Sequence, residues 1–156
     1  MAPGRAWLDK KTTDVPRVSI REFCFPQDYP VICNLWKNAG EGIHLRRSDE
    51  PEEISKKLQR DPDLFLVAEK DGKIVGTVIG GFDGRRGLMY HLAVDQKHRQ
   101  QGIASQMMEE LERRLRSKGC IRYYLLVTKD NEAAILFYEA RGWERMDLLA
   151  YGKDLV

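Results

Sequence analysis

A chain of 156 residues is long enough for one substantial core and short for two ordinary domains. Its 26 Lys and Arg nearly balance 24 Asp and Glu, a net charge of +2 spread mostly along helices, which gives no electrostatic case for nucleic acid. No apolar run reaches bilayer length and the N-terminus lacks a hydrophobic leader, so no membrane role is expected and the cytoplasm is the default.

Residues 1–16 are polar and aperiodic and read as a tail, leaving 17–156 as a single domain. Alternation of Val18, Ile20 and Phe23 predicts a strand over residues 17–25. A helix is expected at 26–39, with Val31, Ile32, Leu35 and Trp36 on one face, and a second at 51–60, where Pro51 suits the first turn. Residues 64–69 and 73–81 are apolar strands joined by Lys70-Asp71-Gly72, and Asp-Gly is a strong hairpin signal. The turn FDGRRG leads into a strand at 88–94.

A helix at 102–118 places Ala104, Met107, Met108, Leu111 and Leu115 on one stripe. Its outer face pairs Glu109 with Arg113, Glu110 with Arg114 and Glu112 with Arg116. A buried strand is expected at 121–128, a last helix at 132–141 stopped by Gly142, and one or two closing strands at 143–156. Hairpins followed by strand, helix, strand and helix describe an α/β fold, a mixed sheet with helices on both faces. Cys24, Cys33 and Cys120 are odd in number and widely spaced, without CxxC or a Cys/His cluster. They read as reduced, buried thiols, and no metal is expected.

The run HLAVDQKHRQQGIASQMMEELERRLRS, from His91 to Ser117, carries the chemistry. An apolar strand enters a turn at RQQGIA and a helix begins there. Gly102 keeps no Cβ in the way of an anion, Ala104 is nearly as small, and the first N–H groups of the helix lack intrahelical partners. Helix dipole and converging amides favour a pyrophosphate at that point. The spacing matches neither GxGxxG nor GxxxxGK followed by Ser or Thr.

Arg99, Gly102 and Ala104 spell RxxGxA, and about thirty residues on comes NEAAILFYEARGW, Asn131 to Trp143. In order and separation these two blocks resemble the signatures of the GCN5-related N-acetyltransferases (GNAT), over roughly residues 17–156. The FDGRRG turn and the hairpin before it look most like the small bacterial YpeA-type branch. The resemblance implies a mostly antiparallel sheet splayed where two parallel strands part, with acetyl-CoA as cosubstrate and its pantetheine arm paired to one strand like an added β-strand. Carried over by motif, the CoA site comprises Leu92, Ala93 and Val94, then Arg99, Gln100, Gln101, Gly102, Ile103, Ala104 and Ser105. The second block adds Asn131, Ala134, Phe137 and Tyr138.

Transfer of an acetyl group from a thioester to an amine requires a neutral amine, a polarised carbonyl and a protonated leaving thiol. The resemblance makes the Val94 backbone amide the oxyanion donor and Tyr138 the general acid, its phenol close in pKa to a thiol. Phe137 and Tyr138 also read as the apolar face of a helix, and Asn131 as its N-cap. Where many relatives carry a catalytic Glu this chain has Tyr90. Tyr90 could act through a water chain; His91 points to the other face if strand alternation holds; Asp83 lies on the turn; a pre-neutralised amine, or bulk water, would need no base. Trp36 and His44 are candidates for substrate contact, Trp143 for the core. The expected acceptor is the primary amine of a small metabolite. A protein N-terminus, or acyl-CoA sensing without catalysis, is the alternative, and the pattern leaves room for a homodimer.

Overall fold

The computed structural model describes residues 17–40 and 42–156, so the tail read at 1–16 lies outside the described residues. Strands β1 (Ser19–Glu22), β2 (Phe65–Lys70), β3 (Lys73–Phe82), β4 (Gly87–Val94) and β5 (Tyr123–Leu125) form one sheet in that order. Every pair is antiparallel except β4 with β5. The helices are α1 (Tyr29–Lys37), α2 (Pro51–Arg60), α3 (Ile103–Ser117) and α4 (Glu132–Glu139).

Both hairpins form as the turn chemistry demands. Asp71 and Gly72 adopt φ of 51° and 74°, two left-handed residues whose twist matches the flanking strands. Asp83 Oδ1 accepts from the backbone N–H groups of Arg85 and Arg86 and closes the FDGRRG turn. Alternation then sorts the apolar side chains onto two faces. Leu66, Ala68, Val78 and Met89 meet Ile103, Met107, Met108, Leu111 and Leu115 of α3. Phe65, Val67 and Ile79 meet Ile32 and Trp36 of α1 and Ile54 of α2. On the α3 face β3 presents glycines: a Cβ at Gly76 would lie 2.7 Å from Met107 Cε, and one at Gly80 would strike Leu111. The helix therefore seats directly on the strand.

Several expectations are corrected. Helix α3 begins at Ile103, which takes the core position assigned to Ala104; Ala104, a third of a turn on, borders a cavity. On its outer face Arg113 pairs with Glu110 rather than Glu109, sharing that carboxylate with Arg114, while Glu112 and Arg116 pair as expected. Val31 is exposed, and of the three thiols only Cys120 is buried. The strand at 121–128 shrinks to three residues, with Ile121 and Leu126 exposed. No closing strand forms over 143–156: Trp143 packs on Tyr123 and Tyr138, but the chain beyond it is exposed, since so short a β5 offers little edge to extend. No helix among the described residues is long and apolar enough to cross a membrane.

The connection from β1 to α1 hangs on one ion pair. Arg21 donates to both carboxylate oxygens of Asp28, at 2.6 and 3.0 Å, and also reaches Glu69 on β2. Asp28 additionally accepts from the Cys24 N–H. The Arg21 guanidinium, helped by that N–H and opposed by burial, holds the Asp28 carboxyl below its ordinary range. A carboxyl with a depressed folded pKa stabilises the fold above its unfolded pKa, near 4, and loses that contribution as pH falls through the folded value. Asp28→Asn is expected to cost about 1–2 kcal/mol at pH 7, discounted for the partly exposed Arg21. Urea unfolding should show this deficit shrinking below about pH 4.

Candidate functional site

Parallel pairing between β4 and β5 covers only Gly87 to Met89 against Tyr123 to Leu125. Strand β4 runs on for five residues to Val94 while residues 126–128 move away, and a cavity of about 720 Å³ opens between them. Leu92, Ala93 and Val94 border it. The Ala93 side chain is buried on the α1 face, so its share is backbone. Along this stretch the edge of β4 that faces β5 has no strand partner.

The floor of the cavity is the turn into α3. Gln100 at φ 60° and Gly102 at φ 76° are left-handed, and such residues in sequence turn neighbouring N–H groups toward one hollow. Gly102 accepts the first helical bond from Gln106, so the N–H groups of Ile103, Ala104 and Ser105 have no intrahelical acceptor. Arg99 ties the turn down, donating to the carbonyls of Val94 at 3.3 Å and Ala39 at 3.1 Å. Gln101 departs from the expected set: its side chain accepts from Lys70 at 2.9 Å and it does not line the cavity.

Arg141 was not foreseen. Its guanidinium stacks 3.6 Å from the Phe137 ring centroid and donates to Ser105 Oγ at 3.0 Å, which sets a cation at the start of α3. Arg141 lies just past the end of α4, four residues after Phe137, and that short separation is the signal that would have found the pair.

Helix α4 makes the opposite wall. Asn131 caps it by accepting from the Ala134 N–H at 3.2 Å, and Ala134, Phe137 and Tyr138 border the cavity. Burial pushes the Tyr138 phenol up to about 12, so it holds its proton at neutral pH. A Cβ at Gly42 would come within 2.7 Å of Asn131 Nδ2, so the loop after α1 presses on the start of α4.

Strand β4 breaks its own alternation. Thr77 pairs with Ala93 and Ile79 with Tyr90, so Val78 alone faces two residues, His91 and Leu92. His91 takes φ 48°, the left-handed geometry of a β-bulge. Met89 and Leu92 consequently share the α3 face, and Tyr90 and His91 both turn toward α1 and α2. This corrects the expectation that His91 points away from Tyr90. His91 Nε2 lies 2.8 Å from Asp49 Oδ1, and its ring lies 5.0 Å from the buried Trp36. Tyr90 borders the cavity but is half exposed, and burial of its phenol raises its pKa, which disfavours the phenolate a base would need. Asp83 is held by its own turn, the N–H groups of Arg86 and Arg85 keeping its carboxyl low. His44 is exposed and Trp36 fully buried; neither lines the cavity. Trp143 packs inward as expected.

The sequence pattern of the Acetyltransferase (GNAT) family matches residues 29–143. The chain belongs to the GNAT family. Acetyltransferase ECA0875 of Pectobacterium atrosepticum is 42% identical over 130 residues, 83% of this chain and 90% of that protein. In fold, AAC(6')-Iy, solved with the bisubstrate analogue CoA-S-monomethyl-acetylneamine, superposes with a TM-score of 0.69 at 18% identity, covering 90% of this chain and all of that one. The ribosomal-protein-S18-alanine N-acetyltransferase of Escherichia coli superposes at 0.63 and 20% identity, over 81% and 77%. This chain is thus a GNAT N-acetyltransferase, with the family's mixed sheet and flanking helices.

Gly102 combines a left-handed φ of 76° with a place on the cavity lining. Gly102→Arg is expected to lower CoA affinity at least about tenfold, by bulk and by a left-handed strain of about 1–2 kcal/mol. Titration calorimetry on variant with native circular dichroism checks it, and undiminished affinity would remove Gly102 from the site.

Proposed function

We propose that this GNAT enzyme moves an acetyl group from acetyl-CoA to the primary amine of a small metabolite, by direct attack within a ternary complex. The observation that carries the reading is the tethered loop after α1, which borders the cavity. The loop after α1 is fastened to the turn before α3 by Arg99 on the Ala39 carbonyl and Gln96 on the Asn38 carbonyl, and it presses on Asn131. A loop held down at this border suits a compact amine better than a polypeptide. The fold is shared by relatives with both kinds of acceptor, so a protein N-terminus is the second reading.

In this reading the N–H groups of residues 102–105 and the Arg141 guanidinium take the pyrophosphate, and Leu92, Ala93 and Val94 offer free strand edge to the pantetheine amides. Ala134 and Phe137 wall the thioester. The Val94 N–H donates to the oxygen that gains charge, a contribution of about 3 kcal/mol in comparable sites. Tyr138 gives its proton to the departing thiolate. The setting is the cytoplasm.

A homodimer belongs to the same reading, with a second copy as the occupant of the exposed apolar C-terminal segment. Leu148, Leu149, Tyr151, Leu155 and Val156 are exposed and β5 is a short edge strand, and strand addition across two copies would cover both. Light scattering is expected to give twice the 18.1 kDa chain mass. A monomer at micromolar concentration would discard the dimer.

Labelled acetyl-CoA added to a cell extract tests the transfer. Label is expected in the small-molecule fraction, and Tyr138→Phe should lower turnover about a hundredfold with acetyl-CoA binding kept. Label confined to protein would favour the peptide reading. Unchanged turnover in Tyr138→Phe would remove the acid.

A further inference from the structure

We propose that His91, oriented by Asp49, is the base that takes the proton from the attacking amine, an assignment that rests on the transferase reading above. Three observations carry it, and the first is the bulge. A non-glycine residue at φ 48° is an uncommon conformation costing of order 1–2 kcal/mol, and it persists here inside the sheet. Its effect is to turn the imidazole toward Trp36 and Asp49, at the edge of the cavity that His91 and Tyr138 both border. Regular alternation would have sent that ring to the opposite face.

Second, the tautomer is determined. Asp49 is 8% exposed; its Oδ2 accepts from the Arg46 N–H at 2.9 Å and its Oδ1 lies 2.8 Å from His91 Nε2. A carboxylate only accepts, so in the neutral ring this contact selects the tautomer with hydrogen on Nε2 and the lone pair on Nδ1. Tyr29 fixes the same turn by donating its hydroxyl to the Asp49 carbonyl at 2.9 Å, and Trp36 stops the ring from swinging. A base supported by an orienting acceptor and a packed neighbour is the arrangement that proton abstraction requires.

Third, the two other side chains that the sequence offered as bases are disabled. Tyr90 keeps its phenolic proton, and Asp83 spends its carboxylate on its own turn. The reaction balances with these groups. His91 Nδ1 takes one proton from the ammonium, and the neutral nitrogen attacks the thioester carbonyl carbon. The C–N bond forms; the C–S bond then breaks, the sulfur leaving with the electron pair and taking a proton from Tyr138. The remaining excess N–H proton of the nascent amide restores Tyr138, and His91 releases its proton to solvent.

The test uses the full chain and two variants that keep the fold, His91→Asn, because Asn tolerates left-handed backbone, and Asp49→Asn. Long-range proton–nitrogen NMR of the free enzyme should find hydrogen on Nε2 of His91 and none on Nδ1, and Asp49→Asn should lose that preference. With an alkylamine accepted by the wild type, His91→Asn should lower kcat about a hundredfold or more at unchanged acetyl-CoA affinity. With methoxyamine, an acceptor already neutral at pH 7, the same variant should stay within about fivefold of wild type, a selectivity that simple structural damage would not produce. Equal losses on both amines, no loss on either, or hydrogen on Nδ1 would overturn the assignment. If the wild type acetylates no amine, the transferase reading falls and takes this one with it, an outcome separate from failure of a variant of a working enzyme.

Discussion

Between Met89 and Val94 strand β4 is paired on one side only, and the backbone polar groups on its other edge must find partners or water. That constraint organises the molecule. A strand edge bare at the middle of a protein is stable when it faces a solvated cleft, and a cleft is what the divergence of residues 126–128 makes. The same divergence frees the end of β4 to turn at Asp95, whose N–H returns to the Val75 carbonyl at 2.8 Å, and to deliver α3 with its amino end against the opening. Bare strand edge and unpaired helix N–H groups thus adjoin in one hollow.

The seating of α3 holds that arrangement in place. Glycines on β3 let Met107 and Leu111 approach the sheet, and at the other end Gly87 admits β5: a Cβ there would meet Tyr123 Cβ at 2.7 Å and Cys120 Sγ at 2.9 Å. Close packing at the base of the β4–β5 pair and separation at its top together define a wedge. Interiors of this density resist small displacements, so the width of the wedge is fixed by core contacts well away from the chemistry.

What could be read from the sequence was local. Asp71-Gly72 and FDGRRG declare their turns because few residues accept those backbone angles, and RQQGIA declares its turn into α3 for the same reason. The sheet with helices on both faces followed from apolar periodicity, since each face needs a cover. The misses have a different character. The three-residue β5 looked like a longer strand because an apolar run does not say where pairing stops, and the exposed C-terminal segment was assigned strands on the same ground. The Lys70–Gln101 and Arg141–Ser105 contacts join positions 31 and 36 residues apart, beyond any spacing rule. The facing of His91 was misread because alternation was assumed, and a single bulged residue reverses every inference about facing that lies beyond it.

That bulge also links two properties of the cavity that could have been independent. Asp49 sits on the short 3₁₀ turn Arg47–Asp49 that ends the loop after α1, so the carboxylate holding the His91 ring belongs to the segment that narrows the acceptor side. Separating the two would leave one oxygen of the buried Asp49 carboxylate without its partner, a cost of about 1–3 kcal/mol, comparable with the strain of one left-handed residue. The loop therefore cannot swing outward cheaply without releasing the imidazole, nor can the imidazole reorient without loosening the loop. Tyr138 escapes this coupling: it stands on α4, held by packing against Phe137 and Trp143. The two walls consequently answer to different parts of the sequence, so the β4 wall can vary with the loop and its Asp while the α4 wall is left unchanged.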